Sequence, residues 1–290
     1  MKPLPMLNLV SRLESAGWLD PYVAGVRGAV NSIVRVPWLR DVLHGVPLGH
    51  PVHPLGVQIP LGAWTSAAVL DAVPGSERAA GILVGVGAVT AVPSAVAGFT
   101  DWTDLHEQQQ RVGLVHAAAN LTATGLYLAS LVQRSRGRQA QGKLLGYLGF
   151  ATVAAGGFLG GHLSYRQAAG VNHAEDVPHR FPAGWHSLAP LHELADGQLE
   201  RRMVAEMPLL VFRQGEAVHV LSDVCSHLSG PLHEGRVEER GEACIVCPWH
   251  GSAFSLRSGE VLGGPATAGQ PRFNTRTTDG RVEVSLPGAG

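Results

Sequence analysis

Three stretches without one charged side chain constrain this chain more than any other feature. Residues 79–99 (AAGILVGVGAVTAVPSAVAGF), 112–132 (VGLVHAAANLTATGLYLASLV) and 144–164 (LLGYLGFATVAAGGFLGGHLS) are each 21 residues long. As helices they would each reach about 30 Å, the thickness of a bilayer's hydrocarbon core. A fourth apolar stretch, 55–70, is shorter, and the HPVHP turn before it can extend it. Buried helices of a soluble protein are the competing reading, but three such runs in one chain favour spans. The expectation is a four-helix transmembrane bundle in a multi-pass protein of the cell membrane.

Details of the apolar half fit that expectation. It is rich in Gly and Ala, which let helix backbones approach closely in lipid, with GGFLGG at 156–161 the clearest case. Trp64, Trp102 and Tyr165 lie towards helix ends, although Tyr127 and Tyr147 do not. Ahead of the spans, residues 1–44 mix Leu, Val and Trp with Arg12, Arg27, Arg35 and Arg40; they read as amphipathic helices at the interface, with no signal-peptide pattern. Four spans place both termini on one side. Which side stays open: Arg78, Arg134, Arg136, Arg138 and Lys143 face Arg35, Arg40, Arg111, Arg166 and Arg180 across the membrane, five against five. A net charge of −1 excludes a basic nucleic-acid footprint.

Past residue 168 the pattern changes. Residues 169–185 read as a polar, Pro-containing linker, and 186–290 as a small all-β domain. MVAEM, LLVFRQ, AVHVLSD, ACIVC and RVEVSL are short runs of period two between turn residues. The fold class is therefore multi-domain α and β, with the four-helix membrane domain at 45–168.

The β domain holds Cys225-Ser-His227 and, further on, Cys247-Pro-Trp-His250-Gly-Ser. Two Cys and two His could bind zinc, but zinc sites favour like ligands in each pair, whereas each loop here supplies one of each. That suits two unlike irons, one held by thiolates and one by imidazoles. The mixed pairs and the CPWHGSAF string resemble the Rieske 2Fe–2S domain over about residues 186–286. The resemblance implies Cys225 and Cys247 on the inner iron, His227 and His250 on the outer one, and a raised potential relative to an all-Cys cluster. It also implies a shielding third loop, matched by Gly263-Gly264-Pro265-Ala266, so Gly264 and Pro265 would lie against the cluster. Cys244 falls outside both pairs and reads as a buried small hydrophobe.

Departures from the quinol-oxidising members of that family point to a low-to-intermediate potential. Ser229 and Trp249 stand where those proteins carry a disulfide. Ser252 is retained, with a hydroxyl able to reach a bridging sulfide, but the Tyr two places on is Phe254. These loops resemble the ferredoxin-type Rieske domains that feed oxygenases. The chain is not itself a ring-hydroxylating subunit: 40 residues follow His250 and none is His.

Fourteen His are many for this length. His50, His53, His106, His116 and His162 would gather at one face of an up-down-up-down bundle. His116, Asn120, Thr124 and Tyr127 form one polar stripe on the third span, facing the interior. Gly157, Gly160 and Gly161 beside His162 would leave room for something flat. Haem b between His116 and His162, another metal or quinone site using His50, His53 and His106, and histidines that merely bond one another or water all stay open. GHPVHP and the later histidines also resemble, over about 45–170, a bacterial family of predicted four-helix membrane domains of unknown function.

The expected activity is one-electron transfer by a membrane-bound iron–sulfur carrier, exchanging with a redox protein or a quinone in contact with membrane lipid. The alternative is a membrane-anchored ferredoxin-like or redox-sensing module whose helices hold no cofactor. No strand–GxGxxG–helix unit is present to make it a self-sufficient reductase.

Overall fold

The computed structural model describes residues 5–288. The chain divides into two compact units. One takes the residues through Leu39 together with Pro51–Ala169; the other takes Arg40–His50 and the residues from Gly170 on.

The first unit is helical. α1 (Pro5–Glu14) and α2 (Asp20–Ile33) are followed by α3 (Pro37–His44), whose later residues belong to the second unit. Then come α4 (Val52–Gly56), α5 (Gln58–Asp71), α6 (Glu77–Trp102), α7 (Glu107–Ser135) and α8 (Gln139–Tyr165). α5 packs on α6 and α8, α6 on α7, and α7 on α8. Gly137, in the left-handed conformation at φ 75°, makes the tight α7–α8 turn.

Among the described residues three helices, α6, α7 and α8, are long and apolar enough to cross a membrane. The expected fourth span is not among them. α5 has 14 residues, about 21 Å at 1.5 Å per residue, because α4 breaks off as a separate short helix rather than extending it. Only 28%, 22% and 22% of the residues in the three apolar windows are buried within the protein. Val89, Val92, Leu121, Leu128, Leu144 and Leu148 point outwards. Helices of a soluble core would show the reverse.

The interior is built from side chains seated against glycines. Trp64 stacks on Tyr127 at 4.2 Å between ring centroids. A Cβ at Gly87 would strike the Trp64 ring, and one at Gly149 would crowd Tyr127. At the α5/α7 end, Arg134 donates to both carboxylate oxygens of Asp71 at 2.9 and 2.5 Å, and both side chains are buried. The N-terminal helices pack within this unit: α1 and α2 lie on α7. Arg111 clamps Asp20 through Nε and Nη2 and donates to the Glu14 carbonyl, and His162 pairs with the Glu14 carboxylate at 2.7 Å.

The second unit is the expected all-β domain. After a short α9 (Val177–Arg180) come β1 (His186–Pro190), β2 (Leu199–Val204), β3 (Met207–Gln214), β4 (Ala217–Ser222), β5 (Arg236–Glu239), β6 (Ala243–Val246), β7 (Ala253–Ser255), β8 (Val261–Gly263), β9 (Asn274–Thr278) and β10 (Arg281–Ser285). They form three antiparallel sheets, ordered β1-β10-β9, β2-β3-β4 and β5-β6-β7-β8. Asp279 and Gly280, both at positive φ, make the two-residue β9–β10 turn. MVAEM is not one strand: Ala205 at φ 50° turns the chain between β2 and β3. The segment read as a linker is part of the core, since Ala174, Val177 and Phe181 are buried with Leu209, Val211 and Phe273.

Candidate metal centre

Three loops of the β unit meet around the two Cys–His pairs. The first, 223–231, joins β4 to β5; the second, 247–252, joins β6 to β7; the third, 264–270, joins β8 to β9. Cys225 and Cys247 are buried in one apolar cluster with Leu210, Ile245 and Phe254. Their sulfurs face each other, and the Cys225 thiol donates to Cys247. That shared proton, together with burial, pushes Cys225 up; the same bond draws Cys247 down to about 7 against the opposing effect of burial. Each sulfur also receives backbone amides of its own loop: His227 and Leu228 donate to Cys225, and Trp249 and His250 to Cys247. His227 and His250 stand apart as a half-buried pair, ring centroids 5.1 Å apart and planes at 85°.

The four candidate ligands are thus sorted two and two, the sulfurs buried and the rings half-buried. Among the described residues no three His, Cys, Asp or Glu form one cluster. The donors suit a two-iron, two-sulfide cluster with unlike ends.

The surroundings fit it as well. A Cβ at Gly230 would press on Cys247 Sγ at 2.8 Å and on Trp249. Gly264, at φ 89°, lies so close to Ser252 and Gly251 that a Cβ would sit 2.5 Å from the Ser252 Cα. Ser252 is wholly buried, and its Oγ accepts from the Ala266 amide at 3.1 Å. Among the described residues that is its side chain's one hydrogen bond, so the hydroxyl still has a proton to donate. Phe254 is fully buried in the same apolar cluster and offers no such donor.

Sequence reasoning missed the residues that hold the loops. Gln270 is buried; its Oε1 accepts from the Ser226 amide, and its Nε2 donates to the Ser222 and Val224 carbonyls. Asp223 accepts from the amide and Nδ1 of His233, and burial raises its carboxyl above the ordinary range. Asp41, on α3 but inside this unit, accepts from the Gly264 amide at 2.9 Å. A lone Gln or Asp in a polar loop carries no sequence signal for such roles. Cys244 lies on β6 with Val246 and Ala253, outside the ligand set as expected.

The helical histidines do not gather as one site. His106 caps α7, its backbone amide bonded to Gln109 Oε1. His50 is exposed and belongs to the β unit. His162 pairs with Glu14. His53 and His116 do meet, ring centroids 6.3 Å apart and planes at 88°. The polar stripe of α7 faces α8 as expected, but it fills the glycine space itself: Asn120 lies against Gly156 and His116 against Gly160. Gly157 has nothing within 4 Å, and Gly161 meets only Tyr165 of its own helix. The pair His116–His162 therefore does not fit the axial sites of a haem.

The comparisons agree with this division. Residues 184–274 match the Rieske [2Fe-2S] domain, and residues 49–173 match a predicted membrane protein family, DUF2231. The anthranilate 1,2-dioxygenase ferredoxin subunit of Burkholderia cepacia is 33% identical over 104 residues, 36% of this chain and 94% of its own length. Ferredoxin CarAc of Metapseudomonas resinovorans is 29% identical over 102 residues, 35% of this chain and 92% of its own. The solved ferredoxin of carbazole 1,9a-dioxygenase from Nocardioides aromaticivorans IC177 shares 23% identity, covers 36% of this chain and 99% of that one, and has a TM-score of 0.34. With ligands, loops and relatives in agreement, this chain belongs to the Rieske [2Fe-2S] family through its C-terminal domain, which it carries behind a DUF2231 domain.

Proposed function

We propose that this protein is a one-electron carrier held in a membrane by its helical domain, which crosses the bilayer more than once. The observation that carries the reading is the sorted ligand set: two buried sulfurs on one side, two half-buried rings on the other. Once bound there, a 2Fe–2S cluster would supply reversible one-electron chemistry, with Cys225 and Cys247 holding the inner iron and His227 and His250 the outer one. The chain's own work is to keep water from the sulfurs, to aim amides at them, and to present the rings. Gly264 and Pro265 would cover the third side, and Ser252 would donate to the cluster.

A redox protein is the partner that this tip fits. Trp249 is 48% exposed beside His250 and gives a partner an apolar anchor next to the ring that would transfer the electron. The relatives named above are ferredoxins, one of them a dioxygenase subunit. A quinone has no comparable feature in its favour. The second reading, in which the helices only anchor the ferredoxin-like module, is favoured by the closed glycine seam and by the His162–Glu14 pair.

The test is full-length protein purified from membranes in detergent. Two irons and two sulfides per chain, with a rhombic electron-resonance signal on dithionite reduction, are expected. One zinc and no signal would refute the cluster, and recovery of the chain in the soluble fraction would refute the anchor.

A further inference from the structure

His53 and His116 are built into the helical unit by the same device used twice. His53 Nδ1 lies 2.8 Å from the carbonyl of Ser94, and a Cβ at Gly98, four residues on, would strike the His53 ring at 2.6 Å. His116 Nδ1 lies 2.8 Å from the carbonyl of Gly156, and a Cβ at Gly160, again four residues on, would crowd the His116 ring at 3.1 Å. In each case a helix exposes a carbonyl to one ring nitrogen and leaves out a side chain to seat the ring.

A carbonyl oxygen can only accept, so both Nδ1 atoms carry the proton and both Nε2 atoms keep a lone pair. Metal-ligating histidines are oriented in this way, with the second nitrogen donating to a backbone carbonyl. The amide of Asn120 stands 3.3 Å from both nitrogens of His116, within hydrogen-bond reach of Nε2, so an ion bound there takes the place of that contact while Asn120 keeps its bond to the His116 carbonyl. The spacing agrees as well. Two metal–nitrogen bonds of about 2.0 Å, plus about 1.1 Å from each nitrogen to its ring centre, put the centroids of two opposed imidazoles about 6.2 Å apart. The observed separation is 6.3 Å.

We infer that His53 and His116 form a second metal site, in which their Nε2 atoms bind one bare transition-metal ion of the kind imidazole favours, copper(I) foremost. Two neutral nitrogens opposed across one ion are the arrangement copper(I) accepts with no further ligand, and imidazole is among its protein donors. The inference is independent of the cluster, because it concerns a different metal on different residues.

The experiment uses full-length, cluster-loaded protein in detergent, titrated with copper(I) against a chromophoric chelator. The cluster's electron-resonance signal is recorded in every sample to show that the β domain is intact. One copper per chain is expected for the unmodified protein. His53→Ala and His116→Ala should each abolish it. Gly98→Ala, which displaces the His53 ring without removing it, should weaken copper binding by about 10–100-fold. Circular dichroism of each variant checks that the helices persist. Unmodified protein that binds no copper while its cluster is full overturns the inference, as does binding that survives both His→Ala changes in folded protein. A haem Soret band lost in those variants would equally overturn the bare ion.

Discussion

Replacing Ser252 by Ala should lower the cluster's midpoint potential and loosen the loop that covers it. The hydroxyl does two things at a fully buried position. Its oxygen accepts from the Ala266 amide at 3.1 Å, and its proton is the one we propose donates to the cluster. A hydrogen bond to a charged acceptor is worth about 1.5–3 kcal/mol. If about half of that appears only when reduction adds an electron, the reduced state loses about 0.75–1.5 kcal/mol in the variant. At about 59 mV for each 1.4 kcal/mol in a one-electron couple, the potential falls by about 30–60 mV. Leaving the Ala266 amide buried without its acceptor costs about 1–3 kcal/mol of stability as well. A redox titration followed by electron resonance reads the first effect, and thermal loss of the visible cluster bands reads the second. An unchanged or raised potential, in protein whose cluster signal is intact, would refute the claim that this hydroxyl serves the cluster.

Other changes separate charge, packing and ligation. Asp41→Asn keeps an oxygen for the Gly264 amide but removes the charge beside the cluster's cover. The potential should rise, because removing a nearby negative charge favours the reduced state, and the shift should shrink at high salt. Asp71→Asn leaves Arg134 buried against a neutral partner and should cost about 3–5 kcal/mol, seen as a lower helical melting temperature in detergent. The double change Asp71→Leu with Arg134→Met should recover most of that loss. Cys244→Ala should keep two irons and an unaltered electron-resonance signal, with a stability cost of about 1 kcal/mol for the small cavity.

What could be read from the chain itself was whatever depends on spacing along it. Cys225-Ser-His227 and Cys247-Pro-Trp-His250 are local, so their chemistry shows in a few consecutive letters, and the folded loops pair like with like as those letters imply. Uncharged runs as long as a bilayer is thick are equally local, and α6, α7 and α8 follow them. The short strands β1, β5, β7, β8 and β9 escaped notice because three to five residues hold too few alternations to show a period. Gln270 and Asp41 escaped for a different reason: each acts across a sequence gap of 44 or 223 residues, and nothing in their neighbours marks the partner.

The glycines of α8 show where local reading misleads. A run such as GGFLGG says that space exists on a helix face, but not which object fills it, because the occupant sits on another helix. The obvious candidate for empty space beside histidines was a flat prosthetic group. The occupants are instead the side chains of the facing polar stripe, Tyr127 against Gly149, Asn120 against Gly156 and His116 against Gly160. These contacts recur at seven and then four residues on both helices, the spacing at which successive turns of two packed helices come back into register. Away from water, a polar side chain needs a partner within the protein, and the backbone meets that need for two of the three: Asn120 donates to the His116 carbonyl and His116 to that of Gly156, while the Tyr127 hydroxyl is buried without a hydrogen bond among the described residues. A glycine seam opposite a polar stripe is therefore a socket made for that stripe.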